Sequence, residues 1–229
     1  ATKYRVPRIA FVNKMDRAGA DFFSVVHQIK GKLDAHPVPV QIPMGAEENF
    51  RGIIDLVNME ARIYNDDESL GTLFEIGDIP EEFIEEAEEW RGKLIEAVAE
   101  VDETLLERYV NDHESITAEE ILTALRKSTV SGRAVPVLCG ASFKNKGIQS
   151  LLDAITAFLP SPVDIGSVTG VDPRDNSEIK RAPDDDEPFA ALAFKIATDP
   201  YVGRLAFLRI YSGVLKAGDT ILNVRTGKR

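Results

Sequence analysis

Arg8-Ile-Ala-Phe-Val-Asn-Lys-Met-Asp16 decides the fold. Ile9 to Val12 is an uninterrupted apolar run, too short for a helix, which predicts a buried strand at residues 8–13. Polar residues from Asn13 onward stop it. Downstream, Phe22, Val25, Val26, Ile29 and Leu33 recur at helical spacing with Asp21 near the start, which predicts a helix over 20–33. Strand, loop and helix make half of a βαβ unit. The other half comes much later. Val135-Pro-Val-Leu-Cys139 is a second apolar run. Ile148, Leu151, Leu152, Ile155 and Phe158 then stripe a helix over 147–159, which Pro160-Ser-Pro162 stops. Two such units, widely separated, predict one α/β domain interrupted by an insertion.

The insertion is expected over residues 35–132 as an α+β subdomain. Strand-like pieces fall at 38–42, 52–57 and 61–64. A helix starts with Pro80 at its first position, and Phe83, Ala87, Trp90, Leu94, Ala97 and Val101 form its apolar stripe. A second helix is expected over 103–110. Thr117-Ala-Glu-Glu120 spells a capping box that opens a third, and Ser131-Gly132 ends it. Residues 166–188, with Asp184-Asp-Asp-Glu187, read as a linker. From Phe189 the pattern alternates, predicting strands at 191–196, 205–211 and 220–224 with turns at Pro200 and Lys216-Ala-Gly-Asp219.

With 229 residues, 44% hydrophobic and 28% charged, the chain can bury a core, which excludes wholesale disorder. No run approaches the roughly 18 apolar residues of a membrane helix. Ala1 to Arg8 is polar and basic, unlike a signal peptide. One cysteine, Cys139, excludes an internal disulfide and Cys-rich zinc sites, and is read as a buried strand residue. Three scattered histidines, His27, His36 and His113, offer no metal cluster and read as surface or packing residues. A cytoplasmic protein is the expectation. The net charge of −11 is uneven: residues 66–120 carry 20 acidic side chains against Arg91, Lys93 and Arg108. An acidic block inside a mildly basic chain leaves room for separate protein-facing and RNA-facing parts.

Asn13-Lys14-Met15-Asp16 carries the chemistry. N-K-x-D at the carboxyl end of a buried strand has the pattern that recognises guanine, and ligands of open α/β sheets bind at that end. The Asp16 carboxylate can accept from guanine N1–H and from the exocyclic amine, a pair of donors that adenine lacks. Asn13 can bond the N7 side and brace the neighbouring loop. The Lys14 stem can cover one face of the base. Four residues alone also describe a polar turn whose Asp16 caps a helix. The second unit raises the specificity, because Gly140-Ala-Ser-Phe143 leaves the other strand at the same end of the sheet.

On Arg5 to Arg17, Pro39-Val-Gln-Ile-Pro-Met-Gly45, Gly140-Ala-Ser-Phe-Lys-Asn-Lys-Gly147 and Leu159-Pro-Ser-Pro-Val163, the chain resembles the bacterial elongation factor G family of translational GTPases. Met15 and Arg17 favour that family over its release-factor and ribosome-protection relatives. The resemblance implies the C-terminal part of a P-loop GTPase domain (residues 1–34 and 133–165), the inserted subdomain, a linker, and the first strands of an all-β translation-factor barrel at 189–229. It implies GTP/GDP and Mg²⁺ as the parent's ligands. It implies Asn13, Lys14, Met15, Asp16, Ala141, Ser142 and Phe143 as the base site, with the 141–143 loop offering a backbone N–H to guanine O6. The family has Ser then Ala where this chain has Ala141 and Ser142.

No G-x-x-x-x-G-K-[ST] loop occurs in the sequence, and no D-x-x-G precedes Asn13, where the family places it. The chain is therefore expected to be an internal fragment with no catalytic or metal-binding residue of its own. Glu81, Glu82, Glu85, Glu86, Glu88 and Glu89 crowd one helix face, with like charges at i,i+4. The resemblance makes Glu82, Glu85, Glu86 and Glu89 a docking face for the ribosomal stalk protein; a solvated helix face is the competing reading. It likewise directs the barrel's Lys195, Arg204, Arg209, Lys216, Arg225, Lys228 and Arg229 toward small-subunit ribosomal RNA. A different class of function, a non-catalytic acidic protein-interaction module, remains the alternative. The strand at 8–13 is expected to expose an unpaired edge through which the chain self-associates, with apolar surface bared at Phe22, Val26 and Leu152.

Overall fold

Short apolar runs bounded by polar turns become strands, and their order fixes where the N-K-x-D loop lies. The computed structural model describes residues 1–64, 71–100, 103–112, 115–172 and 174–229. The chain divides into two units, Ala1–Leu159 and Pro160–Arg229. The first runs β1 (Ala10–Val12), α1 (Phe22–Leu33), β2 (Pro37–Pro39), β3 (Gln41–Met44), β4 (Gly52–Asp55), β5 (Glu60–Ile63), β6 (Glu75–Gly77), α2 (Glu81–Ala99), α3 (Glu103–Asp112), α4 (Ala118–Val130), β7 (Val135–Cys139) and α5 (Ile148–Phe158).

Two sheets organise this unit. A parallel sheet has the order β1-β7-β2, and an antiparallel sheet the order β3-β4-β5-β6. The central β7 is buried along its whole length, as its all-apolar sequence requires. Phe11 pairs with Leu138 and Val12 with Cys139, so both strands end level and both following loops emerge together. Burial also pushes the Cys139 thiol far above its usual pKa, so it stays a neutral core group.

The run at 38–42 was expected to be one strand of the insertion. It is two, in different sheets: Pro37–Pro39 pairs parallel with β7, and Gln41–Met44 pairs antiparallel with β4. The chain bends at Val40, whose N–H reaches Val137 O while its carbonyl accepts Leu56 N–H. The parallel sheet therefore recruits a strand from the stretch assigned to the insertion.

The helices follow their stripes with local exceptions. Asp21 caps α1 by accepting Ser24 N–H at 2.9 Å. Phe22 and Val26 are buried, contrary to the expected baring, whereas Leu33 at the helix end is exposed. Pro80 is the N-cap of α2 rather than its first residue. Ala87, Leu94, Ile95 and Val98 bury that helix, and Trp90 stacks on Phe23 of α1. The position expected for Val101 lies outside the described residues, as does His113. The capping box forms at α4, with Thr117 and Glu120 exchanging side-chain and backbone bonds. On α5 the buried line is Ser150, Ala154 and Phe158, while Leu152 and Ile155 are exposed. The sequence stripe was thus placed about one residue off.

The second unit holds α6 (Pro162–Ile165), β8 (Val168–Val171), β9 (Glu178–Arg181), β10 (Ala190–Asp199) and β11 (Gly203–Ser212). β8 pairs with β9, a hairpin inside the stretch read as linker. β10 and β11 form a long antiparallel hairpin that turns at residues 200–202. The strand expected at 220–224 is absent. Residues 220–222 are irregular, and 224–227 form a turn closed by an isolated bridge between Asn223 and Lys228.

Candidate functional site

Level strand ends bring the β1 and β7 loops into contact, and Asn13 joins them. Its Oδ1 accepts Lys14 N–H at 2.8 Å and Ser142 N–H at 2.9 Å. The first bond steadies Lys14, which has a left-handed backbone at φ 65°. The second ties the N-K-x-D loop to the 141–143 loop. Asn13 Nδ2, the other end of the amide, remains the donor to offer an incoming acceptor such as a purine N7.

Met15 is the anchor of the loop. Its side chain is 1% exposed, its N–H donates to Gly140 O at 3.0 Å, and its carbonyl accepts Glu47 N–H at 2.8 Å. Met15 therefore serves the site by packing rather than by contact with a ligand. Asp16 follows with its side chain 11% exposed and Oδ2 lying 3.4 Å from Lys144 Nζ. A carboxylate so placed has lone pairs left for two further donors while its charge is balanced by a flexible cation. Lys14 is exposed beside it, free to lie along a flat ring.

The 141–143 loop is a single 3-10 turn at Ser142–Lys144 closed by a bridge between Ala141 and Lys146. Ala141 is buried, Ser142 is exposed and the Phe143 ring is 92% exposed. Ser142 N–H already donates to Asn13, so a carbonyl oxygen arriving here shares that donor and meets Phe143 N–H next to it. Glycines flank the turn for steric reasons. A Cβ on Gly140 would collide with Lys146 O, and one on Gly147, at φ 84°, would sit 2.5 Å from Cys139 O. Gly147 N–H donates to the Tyr64 hydroxyl at 2.9 Å, which pins the start of α5 to the antiparallel sheet.

The structure adds two residues that sequence reasoning missed. Lys144 lay within a quoted stretch but no spacing paired it with Asp16. Glu47 lies in the turn between β3 and β4, and its Oε1 accepts Gly19 N–H at 2.6 Å across 28 residues of sequence. Glu47 holds a left-handed backbone at φ 58°, which costs a residue with a Cβ about 1 kcal/mol. Contacts of this kind are tertiary and leave no periodic signal.

Elsewhere, Glu81, Glu82, Glu85, Glu88 and Glu89 are exposed on α2, and Glu86 is half-buried. Burial, then the Glu89 charge, raises the Glu86 pKa. Glu82 pairs with Arg51, and Glu89 with Lys93 at 2.5 Å, so two of the four acidic residues singled out are already partnered. In the second unit Lys195 and Arg209 lie over the Phe207 and Tyr211 rings. His27 and His36 are exposed. No group of three or more His, Cys, Asp or Glu among the described residues is arranged to hold a metal. No described helix is long and apolar enough to cross a membrane.

The N-K-x-D loop is thus laced to a small-residue loop at the same end of a parallel sheet, the end at which open α/β sheets bind ligands. Residues 1–161 match the elongation factor Tu GTP binding domain family, and the chain belongs to it. Residues 188–229 match elongation factor G domain 2. Over its full length the chain is 58% identical to a protein named Elongation factor G from Amoebophilus asiaticus (strain 5a2), of which it covers 32%. A crystal structure of a protein from Thermus thermophilus aligns with a TM-score of 0.72 at 28% identity, covering 96% of this chain and 29% of that one. The chain thus spans about a third of the length of these relatives. Its fold is α/β with an antiparallel sheet and helices inserted, followed by the β region of domain 2.

Proposed function

We propose that this chain is the base-recognition part of a ribosomal translocation GTPase, which binds GTP or GDP and couples hydrolysis to movement of transfer and messenger RNA in the cytoplasm. The observation that carries this is the Asn13 amide, which laces the N-K-x-D loop to the 141–143 loop. With the loops so held, Asp16 accepts from guanine N1–H and the 2-amino group, Asn13 Nδ2 donates to N7, a backbone N–H of Ser142 or Phe143 meets O6, and Lys14 and Phe143 cover the ring faces. GTP or GDP fits this end of the site because its donors and acceptors match residue by residue. The phosphates and Mg²⁺ would be held by parts of the protein outside these 229 residues, since the sequence carries no phosphate loop. There Mg²⁺ would supply charge neutralisation of the transferred phosphoryl group. Domain limits of 1–34 and 133–165 for the GTPase part, 35–132 for the insertion, 166–188 for the linker and 189–229 for the barrel start belong to this reading, save that β2 (Pro37–Pro39) pairs with β7 of the GTPase part and the linker contains the β8–β9 hairpin.

Two ribosomal partners extend the proposal. The carboxylates of α2, exposed but for the half-buried Glu86, form a surface for the stalk protein; among the described residues Glu85 and Glu86 make no ion pair such as Glu82 and Glu89 make. The cations of the second unit face small-subunit ribosomal RNA. Competition binding on the full-length protein tests the core of the reading. GDP is expected to displace a fluorescent guanine nucleotide, inosine diphosphate to do so about tenfold or more weakly for want of the 2-amino donor, and ADP not at all. Equal displacement by ADP would overturn it.

A further inference from the structure

We propose that Glu47 is a positioning residue of the base site, and that the antiparallel sheet, through Glu47, sets how long a guanine nucleotide stays bound. The inference rests on the guanine reading of the 13–16 loop and deepens it. Two atoms of Glu47 hold that loop from outside. Its N–H donates to Met15 O at 2.8 Å, and its Oε1 accepts Gly19 N–H at 2.6 Å. Asp16 lies between those two points. Two turns span this stretch, with Arg17 N–H returning to Lys14 O and Ala20 N–H to Arg17 O. Asp16 therefore projects from a loop fastened on one side to Gly140, just past β7, and on the other to Glu47.

The turn bearing Glu47 is itself stiff. Asn49 N–H bonds Ala46 O, Phe50 N–H bonds Glu47 O, and Arg51 N–H bonds Met44 O. Phe50 and Met44 are buried. A residue held at φ 58° inside such a turn would be better served locally by glycine. What a glycine would lose is the carboxylate on Gly19. Strain kept at a point that touches a ligand loop suggests function, and here the contact it preserves is a charge-assisted bond to the loop that carries Asp16. The consequence is that the base pocket is not a property of the parallel sheet alone. A shift of the β3–β4 turn moves the Asp16 loop with it.

The test uses the full-length protein, fluorescently labelled GDP and three variants. Glu47→Gly keeps the backbone N–H, relieves the left-handed conformation and removes the clamp. It is expected to melt at or above the parent's temperature yet to release GDP about tenfold faster, the loss of one charged hydrogen bond. Glu47→Gln keeps an acceptor oxygen without its charge and should release GDP about threefold faster than the parent, well short of the Gly variant. Asp16→Asn is the control for the base site. Parental release by Glu47→Gly, or equal acceleration in the Gln variant, would overturn the role of the acceptor. So would faster release accompanied by a lowered melting temperature, which marks general loosening. If Asp16→Asn leaves guanine selectivity unchanged, the base-site reading falls and this proposal with it. If Asp16→Asn changes selectivity and Glu47→Gly changes nothing, only the Glu47 proposal falls.

Discussion

Asn13 Oδ1 accepts the Ser142 N–H at 2.9 Å, joining loops 129 residues apart. The same oxygen accepts Lys14 N–H. One side chain thus fixes both the backbone that aims Asp16 and the loop that faces it. Removing it in Asn13→Ala frees two exposed amide donors, which water then serves, and leaves the two loops unlaced. Nucleotide affinity of the full-length protein is expected to fall about tenfold or more, measured by titration with labelled GDP. The melting temperature should move little, because both donors reach water when freed.

Glu120 gives a pH dependence. Its bonds with Thr117, then with Arg108, hold its pKa down to about 2 from an ordinary 4.5. A depressed carboxylate stabilises the fold above its unfolded pKa and loses that contribution as pH falls through the folded value. Parent and Glu120→Gln should therefore differ in melting temperature by a constant gap above pH 5. The gap should close between about pH 4.5 and pH 2. A gap independent of pH would show that the cap acts without its charge.

Among the described residues, the acidic face of α2 separates into carboxylates with and without an ion-pair partner. Glu82 and Glu89 are held by Arg51 and Lys93. Glu85→Lys with Glu86→Lys should slow stalk-dependent GTP turnover in the full-length protein at low salt. The effect should fade as salt rises, since exposed charges are screened over about 10 Å at 0.1 M. Glu86→Gln alone should stabilise the fold by about 0.2–0.5 kcal/mol, because it removes a half-buried charge repelled by Glu89. Turnover unaffected by the double reversal would return this helix to an ordinary solvated face.

Much of this architecture is legible in the chain, for local reasons. Residues 10–12 and 135–139 are apolar without interruption because β7 is buried on both faces and β1 lies beside it. The α4 start is written in Thr117 and Glu120, which touch each other. The candidate site is legible where one loop supplies several groups, as Asn13 to Asp16 do. What failed depends on partners far away in sequence. The split at Val40 arises because Val137 of β7 and Leu56, just past β4 of the other sheet, claim its two backbone groups. The β8–β9 hairpin is mostly exposed and so lacks an alternating apolar pattern. Glu47 and Lys144 reach the site only after folding.

Among the described residues β1 has one neighbour in its sheet, β7, and no strand on its other edge. An unpaired edge is a template for another strand. The polypeptide 1–229 is expected to self-associate weakly as its concentration rises, followed by sedimentation equilibrium. The surface bared beside it is smaller than the sequence suggests, since Phe22 and Val26 are buried and only Leu152 of the three is exposed. A monodisperse monomer at all concentrations would show that three strand residues are too short an edge to pair.

The central claim is that Asp16 reads the purine, and nucleotide competition in the Asp16→Asn variant of the full-length protein tests it most directly. Xanthine carries a carbonyl acceptor where guanine carries the 2-amino donor. The new amide can donate to that carbonyl, whereas it faces the guanine amine with a mismatched group. Hydrogen bonds to charged groups contribute about 1.5–3 kcal/mol, so GTP should bind roughly 10- to 150-fold more weakly. Xanthosine triphosphate should become the better competitor. Unchanged preference for GTP over xanthosine triphosphate would remove Asp16 from the base site and contradict the account.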